Sequence, residues 1–516
     1  MRPIALSAAV LLASPALADW SSDPATNTPV CTATGDTIQP KIVPAPDGGV
    51  YVSWFDNRIG GYDVYLQRFD INGNPLWAPN GILIADRSFS STEDYGACPD
   101  GQGGVVLCFG DDRFGGVKAT VTRVDPSGTQ VWGANGIQVS TVATINSPSV
   151  TLSGDGRIVA GWVQGNNTGL QRLELDGTID WATPVVLTAS GAQLWVADMQ
   201  PGDGTSAIVS MVRQTGFSGA KTLRAQKVDA SGTLLWGPNH VNVFTTGSLQ
   251  FGNFPNFLPD GAGGAVFSWY TTGPLQSWAQ HVDGGGALLW GTNGVSVTVA
   301  TTNERTGPSL AWDPVAQRAY VSWEEKVPNT SNYGVGAQAF DAAGARLWGA
   351  SGVMLMPIAT NFGVREMRAR VLDGDPVFLF VRDLAFNNGT LFASRRAAAN
   401  GAAVWAGGLV QVSSTRTGHS RLDTTVNPCN SLVVVWEDSR DGNQNIYGDA
   451  LRPDGTLGPA EVILGDINHD CHVNAVDLGI LLGAWGPQAA PSPADLNGDG
   501  VVDALDLGIL LGAWTG

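Results

Sequence analysis

The sequence predicts a mainly β protein, an array of four-stranded units closed into a seven- or eight-bladed β-propeller, followed by a small all-α module at the C-terminus. Three observations predict this class. A unit of about 55 residues recurs from about residue 38 to 460. The 67 Gly and 29 Pro are spread along the chain instead of clustered, as many short strands joined by tight turns require. The nine residues Asp477 to Trp485 return letter for letter at Asp506 to Trp514.

The chain divides into residues 1–18, 19–464 and 465–516. In the first segment Arg2 supplies a positive end, Ile4 to Ala13 an apolar run and Ala16-Leu17-Ala18 a small-residue cleavage site. That is the pattern of a signal peptide, with a mature protein beginning near Asp19 and secreted or held at the cell surface. No later stretch approaches the roughly 20 apolar residues that a membrane-spanning helix needs. Of 516 residues, 43% are hydrophobic and 18 are Trp, a composition that argues against disorder. The net charge of -18 opposes binding to nucleic acid phosphates and anionic membranes.

The repeat is clearest from Ile38. Its signature is a polar or acidic turn, a Gly, and a Trp four residues later, as in FDINGNPLW, VDPSGTQVW and VDASGTLLW. The turn glycines are Gly73, Gly128, Gly177, Gly232, Gly286, Gly344, Gly401 and Gly455, and the last copy, LRPDGTLGP, lacks the Trp. Trp77, Trp132, Trp181, Trp236, Trp290, Trp348 and Trp405 thus form a structural ladder. Alternating runs between the turns give four strands per unit, and the second strand carries a large residue at Trp54, Trp162, Trp269, Trp323, Phe380 or Trp436 that suits the space between blades. A lone four-stranded sheet cannot bury both faces; radial stacking covers them and leaves only short edges. The segment TPVCTATG before the first unit resembles a last strand and is suited to complete the final blade. An open stack of β repeats is the alternative.

Five cysteines in an exported chain suggest two disulfides and one free thiol. Cys98 and Cys108 flank a turn and could bridge one hairpin, and a Cys31–Cys429 link would staple the ring. Loops carrying Asp56-Asn57-Arg58, Asp112-Arg113 and Asp438-Ser439-Arg440-Asp441 could bind an anionic sugar, but their recurrence favours loop-fixing ion pairs. The turns differ from the sialidase Asp-box in the Gly-to-Trp spacing, so no arginine triad or tyrosine nucleophile carries over. His240, His281 and His419 fall in different repeats, and HExxH and GxSxG are absent. A carboxylate pair of the glycosidase kind remains open, with nothing to select its members. The ring's catalytic residues are therefore unknown.

The tail carries a sharper signal. Asp466, Asn468, Asp470, Asn474 and Asp477, and then Asp495, Asn497, Asp499, Asp503 and Asp506, place side-chain oxygens at positions 1, 3, 5, 9 and 12 of a twelve-residue calcium loop. The backbone carbonyls of His472 and Val501 would fill position 7, giving sites for two Ca2+ ions. Alternate residues of a tight loop point inward, and a hard cation needs about six to eight such oxygens. Asp477 and Asp506 are also expected to start the helices that follow, and the spacer Gly486 to Ala494 to add no strand or helix. His469 and His472 read as solvated residues.

On these residues, Gly465 to Gly516 resembles a type I dockerin domain, the duplicated calcium module that docks exported proteins onto cohesin modules. The resemblance implies a cohesin-like partner and folding that depends on calcium. Two departures stand out. Cys471 occupies position 6 of the first loop, where Gly permits the sharp turn, and that loop has three carboxylates against four in the second, so the first site is expected to be the weaker. Positions 10 and 11, often Ser or Thr, are Ala475-Val476 and Ala504-Leu505. The expected function is an exported calcium-binding protein whose ring binds a polysaccharide or protein; the alternatives are a polysaccharide-degrading glycoside hydrolase on a dockerin and a structural cell-surface protein.

Overall fold

The computed structural model describes residues 19–515 except 89–93, 217, 251, 386–387, 462, 469 and 489–491. The signal-peptide segment and His469 lie outside the described residues. Among the described residues the repeat forms eight four-stranded antiparallel sheets. Blade 1 runs outward from the axis through Thr37–Pro44, Val50–Asp56, Asp63–Phe69 and Ile82–Ala85. The last blade takes Ser420–Val426, Leu432–Asp438 and Asn445–Leu451 from the end of the array and its outer strand, Thr28–Cys31, from before the first unit. Thr28 pairs with Gly448 and Cys31 with Ile446, so the two ends of the array are joined by backbone hydrogen bonds and the ring has eight blades.

The turn signature has a double use. In the fourth blade the Asp229 carboxylate accepts from the backbone N–H of Ser231 (2.8 Å) and Thr233 (2.9 Å), and Gly232 adopts φ +81°. The turn is thereby closed by its own residues. The Trp of each turn then reaches the next blade. The indole N–H groups of Trp132, Trp181, Trp236, Trp290, Trp348 and Trp405 donate to the turn carbonyls of Leu175, Ala230, Gly284, Ala342, Ala398 and Pro453 at 2.7–3.2 Å. The following turn glycine packs on that indole. A Cβ on Gly286 would lie 2.9 Å from Trp236, and one on Gly344 2.7 Å from Trp290. The Trp missing from the last turn is supplied from the other end of the array: Trp20 lies against Gly73, and its backbone N–H donates to the Asn72 carbonyl.

The second-strand Trp54, Trp162, Trp269, Trp323 and Trp436 are fully buried between blades, as is Phe380. Trp54 shares one cluster with Val433, Val435 and Ile446 of the last blade. Each such indole removes roughly 150–250 Å2 from water, about 4–6 kcal/mol by area.

The cysteine expectations are corrected. Cys98 pairs with Val106 and Cys108 with Gly96, so the two residues sit diagonally across the ladder with their α-carbons about 7–8 Å apart, too far for a bridge, and both thiols are free. Cys31, Cys98 and Cys108 are free and buried, and Cys429 bonds to Cys471 instead of Cys31. Among the described residues this is one disulfide, not two.

In the tail, α1 (Ala475–Gly483) and α2 (Ala504–Gly512) pack through Leu481 and Leu510 on Ile467, Val473, Ala494 and Val502. Two tail expectations change. The helix caps are Asn474 and Asp503, while Asp477 and Asp506 stand at the third helical position and return a bond to the cap's backbone N–H. The spacer does contribute structure, since Gly486–Pro487 pairs with Val501–Val502.

Candidate functional site

Two places gather chemistry: the loops of the tail and the axis of the ring. In the first loop, carboxylate oxygens of Asp466, Asp470 and Asp477 come within 4.8 Å of one another, the one such trio among the described residues. The loop's own amides aim them. Asp466 accepts from the N–H of Asp470 (3.1 Å) and Cys471 (2.7 Å), and Asp477 from Ile467 (2.8 Å), Asn468 (3.2 Å) and Asn474 (2.9 Å). Burial, reinforced by the neighbouring Asp470 and Asp477 charges, raises the Asp466 carboxyl above its ordinary range. Such crowding of hard anionic oxygens suits a divalent cation.

The second loop repeats the scaffold. Asp495 accepts from the N–H of Asp499 (3.2 Å) and Gly500 (2.8 Å), and Asp506 from Leu496 (2.7 Å), Asn497 (3.1 Å) and Asp503 (2.8 Å). Although burial acts the other way, those amides hold the Asp506 carboxyl below the usual range. His472 and Val501 donate their backbone N–H to Asp470 and Asp499, each at 2.9 Å. Asn468 and Asn497 hold the position-5 carboxylates through 2.8 and 2.9 Å bonds. Beyond the loops, Val476 and Leu482 on α1, Leu505 and Leu511 on α2, and Trp485 and Trp514 just past the helix ends leave an apolar surface exposed.

At the axis, the innermost strands of all eight blades line a channel of about 670 Å3. Its polar groups include Lys41, Asp94, Asp198, Arg368, Arg370 and Asp423. Lys41 pairs with Asp94 at 2.8 Å, and Arg370 lies 4.0 Å from Asp423. Burial pushes the Asp198 carboxyl up to about 6, against N–H bonds from Phe257, Gln200 and Met199. At one mouth the inner strands bulge, with Gln39, Ser147, Glu366 and Arg421 at φ between +46° and +57°. Left-handed backbone in residues with side chains, repeated around one opening, is the kind of local strain found at binding sites.

The Asp and Arg loops at that end are structural. Arg58, Arg113 and Arg440 pair with Asp56, Asp111 and Asp438, all three carboxylates buried at the ends of their strands. Arg113 thus chooses Asp111 over its neighbour Asp112. Asp438 also accepts from the Trp436 indole at 3.0 Å. The three ring histidines stay apart: His240 contacts Gln226, His281 pairs with Asp260 at 2.9 Å, and His419 lies 3.7 Å from Asp438. The channel groups escaped sequence reasoning because the first strand carries no fixed chemical signature. The dipeptides Gln39-Pro40, Ser147-Pro148 and Gly307-Pro308, each at a bulge of its strand, were the available clue.

Residues 464–512 match the model of the Dockerin type I domain. No curated protein matches the chain. Among solved structures, the Dos1 propeller is 11% identical over 82% of this chain and 95% of that one, with a TM-score of 0.45. An ulvan lyase from a polysaccharide lyase family is 12% identical over 82% and 96%, with a TM-score of 0.44. The polysaccharide lyase Uly1 is 10% identical over 80% and 88%, with a TM-score of 0.41. The C-terminal module is a type I dockerin domain, carried behind an eight-bladed β-propeller.

Proposed function

We propose that this is an exported protein, cleaved near Asp19, whose dockerin (residues 465–516) attaches a ligand-binding propeller (residues 19–464) to a cohesin-like partner. The duplicated loop and helix of the tail carries the proposal. Two Ca2+ ions would be held by Asp466, Asn468, Asp470, Asn474 and Asp477, with the His472 carbonyl, and by Asp495, Asn497, Asp499, Asp503 and Asp506, with the Val501 carbonyl. Bound calcium neutralises the crowded carboxylates and fixes the loops. The exposed apolar side chains of α1 and α2 then form the docking face, which Ala475-Val476 and Ala504-Leu505 make more apolar than the family pattern.

The propeller's ligand, a polysaccharide or a protein, would enter at the bulged mouth of the channel. The chain leaves the last blade at the turn after Leu451, on the opposite face of the ring, so anchoring leaves that mouth clear. A second reading, a polysaccharide-degrading enzyme, is favoured by one observation: a carboxyl raised to about 6 inside the channel, at Asp198, suits a general acid. Incubation with a panel of polysaccharides, scoring retention and release of reducing ends separately, distinguishes these. Retention without release supports a binding module, and release that Asp198→Asn abolishes supports the enzyme. Neither retention nor release, with no protein ligand captured at the mouth, leaves a structural cell-surface protein.

A further inference from the structure

The first loop breaks a rule of its kind and is supported where it breaks it. Position 6 is left-handed in both loops, Gly500 at φ +87° and Cys471 at φ +66°. In both, the amide of that residue donates to the loop's first aspartate, Cys471 to Asp466 at 2.7 Å and Gly500 to Asp495 at 2.8 Å. Gly adopts this backbone freely, whereas a residue with a Cβ resists it. The residue that resists is also the one bonded to the ring, through Cys429, 42 residues earlier.

Cys429 sits on a firm base. Its turn, residues 427–431, joins the first two strands of the last blade. Asn427 donates to the Gly48 carbonyl of blade 1 at 2.8 Å and accepts from the Ser431 N–H at 2.9 Å. Asn430 accepts from the Asp373 N–H of the seventh blade at 3.1 Å. The turn is thus held by three blades, and it lies on the face from which the chain leaves the ring.

We propose that the Cys429–Cys471 disulfide is a working part of the first calcium loop. It holds position 6 in the left-handed conformation and so keeps the Cys471 amide on Asp466 and the Asp466 carboxylate facing Asp470 and Asp477. This rests on the calcium reading of the loops and goes beyond it: the propeller sets the geometry of one of the two sites. Reduction of the bond weakens the first site and leaves the second, which has Gly at position 6 and no bond to the ring. The part of the weaker-site expectation that rests on Cys471 then belongs to the reduced chain, while the difference of three carboxylates against four holds in both.

The test uses the intact chain. Mass mapping of an unreduced digest should recover the Cys429 and Cys471 peptides joined; two free thiols would overturn the proposal. Isothermal titration with Ca2+ is then made in an Asp495→Ala background, which leaves the first loop to be read, with the propeller's melting transition as the check on folding. Adding Cys429→Ser should weaken binding about tenfold. Adding Cys471→Gly to that variant should restore it, because glycine needs no support in this conformation. Undiminished affinity in Cys429→Ser, or no rescue by Cys471→Gly, would overturn the proposal while leaving the calcium reading intact. No calcium uptake at either loop of the parent chain would overturn both.

Discussion

Gly344→Ala is the sharpest probe of how the blades are joined. The new Cβ would lie 2.7 Å from Cγ and 2.8 Å from Cδ1 of Trp290, on a backbone at φ +81°. The left-handed conformation alone costs about 1–2 kcal/mol with a side chain present. Relief of the clash requires the indole to retreat by more than half an ångström from a site where Trp290 is 3% exposed, an overpacking cost of about 1–3 kcal/mol. That retreat also stretches the 2.9 Å bond from the indole to the Ala342 carbonyl, about 1 kcal/mol more. The total is roughly 3–6 kcal/mol. Trp290→Ala should itself cost about 3–5 kcal/mol. In that background Gly344→Ala meets only the Cβ of residue 290, at 3.1 Å, so little more than the backbone cost of about 1–2 kcal/mol remains. A double-mutant cycle from urea unfolding at fixed calcium should therefore show coupling of about 2 kcal/mol or more. Costs that add within about 0.5 kcal/mol would refute the interlock between turn glycine and preceding indole.

Other residues test the remaining parts. Arg440→Ala leaves the buried Asp438 carboxylate without its guanidinium and should lower stability by about 3–5 kcal/mol while sparing ligand retention; lost retention at unchanged stability would make the loop a binding element. Asp198 has a folded pKa raised to about 6, so its ionisation destabilises the fold and stability through this group falls as pH rises from about 4 to about 6. Unfolding of Asp198→Asn against the parent should show a difference that moves in the variant's favour over that window and levels off above it; a gap unchanged from pH 4 to 7 would count against a raised carboxyl in the channel. Trp20→Ala removes the indole from Gly73 and should lower the propeller's melting temperature as a ladder Trp substitution within the array does. A change no larger than that of an exposed residue would show that the ring does not depend on this closure.

The fold was legible because its determinants are local and repeated. Eight turn glycines at a regular interval, seven of them followed by a Trp, encode both the hairpin and its contact with the next blade. The pairing of Thr28–Cys31 with the last blade was open to sequence reasoning because that strand matches the last strand of the other units. Trp20 was not, because it stands before the first unit and outside the turn signature. The two tail loops were legible for the same reason as the turns: the spacing of their oxygen-bearing residues is a property of consecutive residues. Contacts between distant segments could not. Cys429 and Cys471 meet only because the chain leaves the ring on the face that carries the turn of Cys429, and the channel groups meet only when eight unlike first strands converge on one axis.

Retention of the intact chain on a panel of immobilised type I cohesins, in calcium and then in a chelator, tests the central claim most directly. The account predicts retention in calcium, release on chelation, and loss of retention when Asp477 and Asp506 are both replaced by Ala. Retention that survives the chelator, or no retention on any cohesin with calcium present, would contradict it.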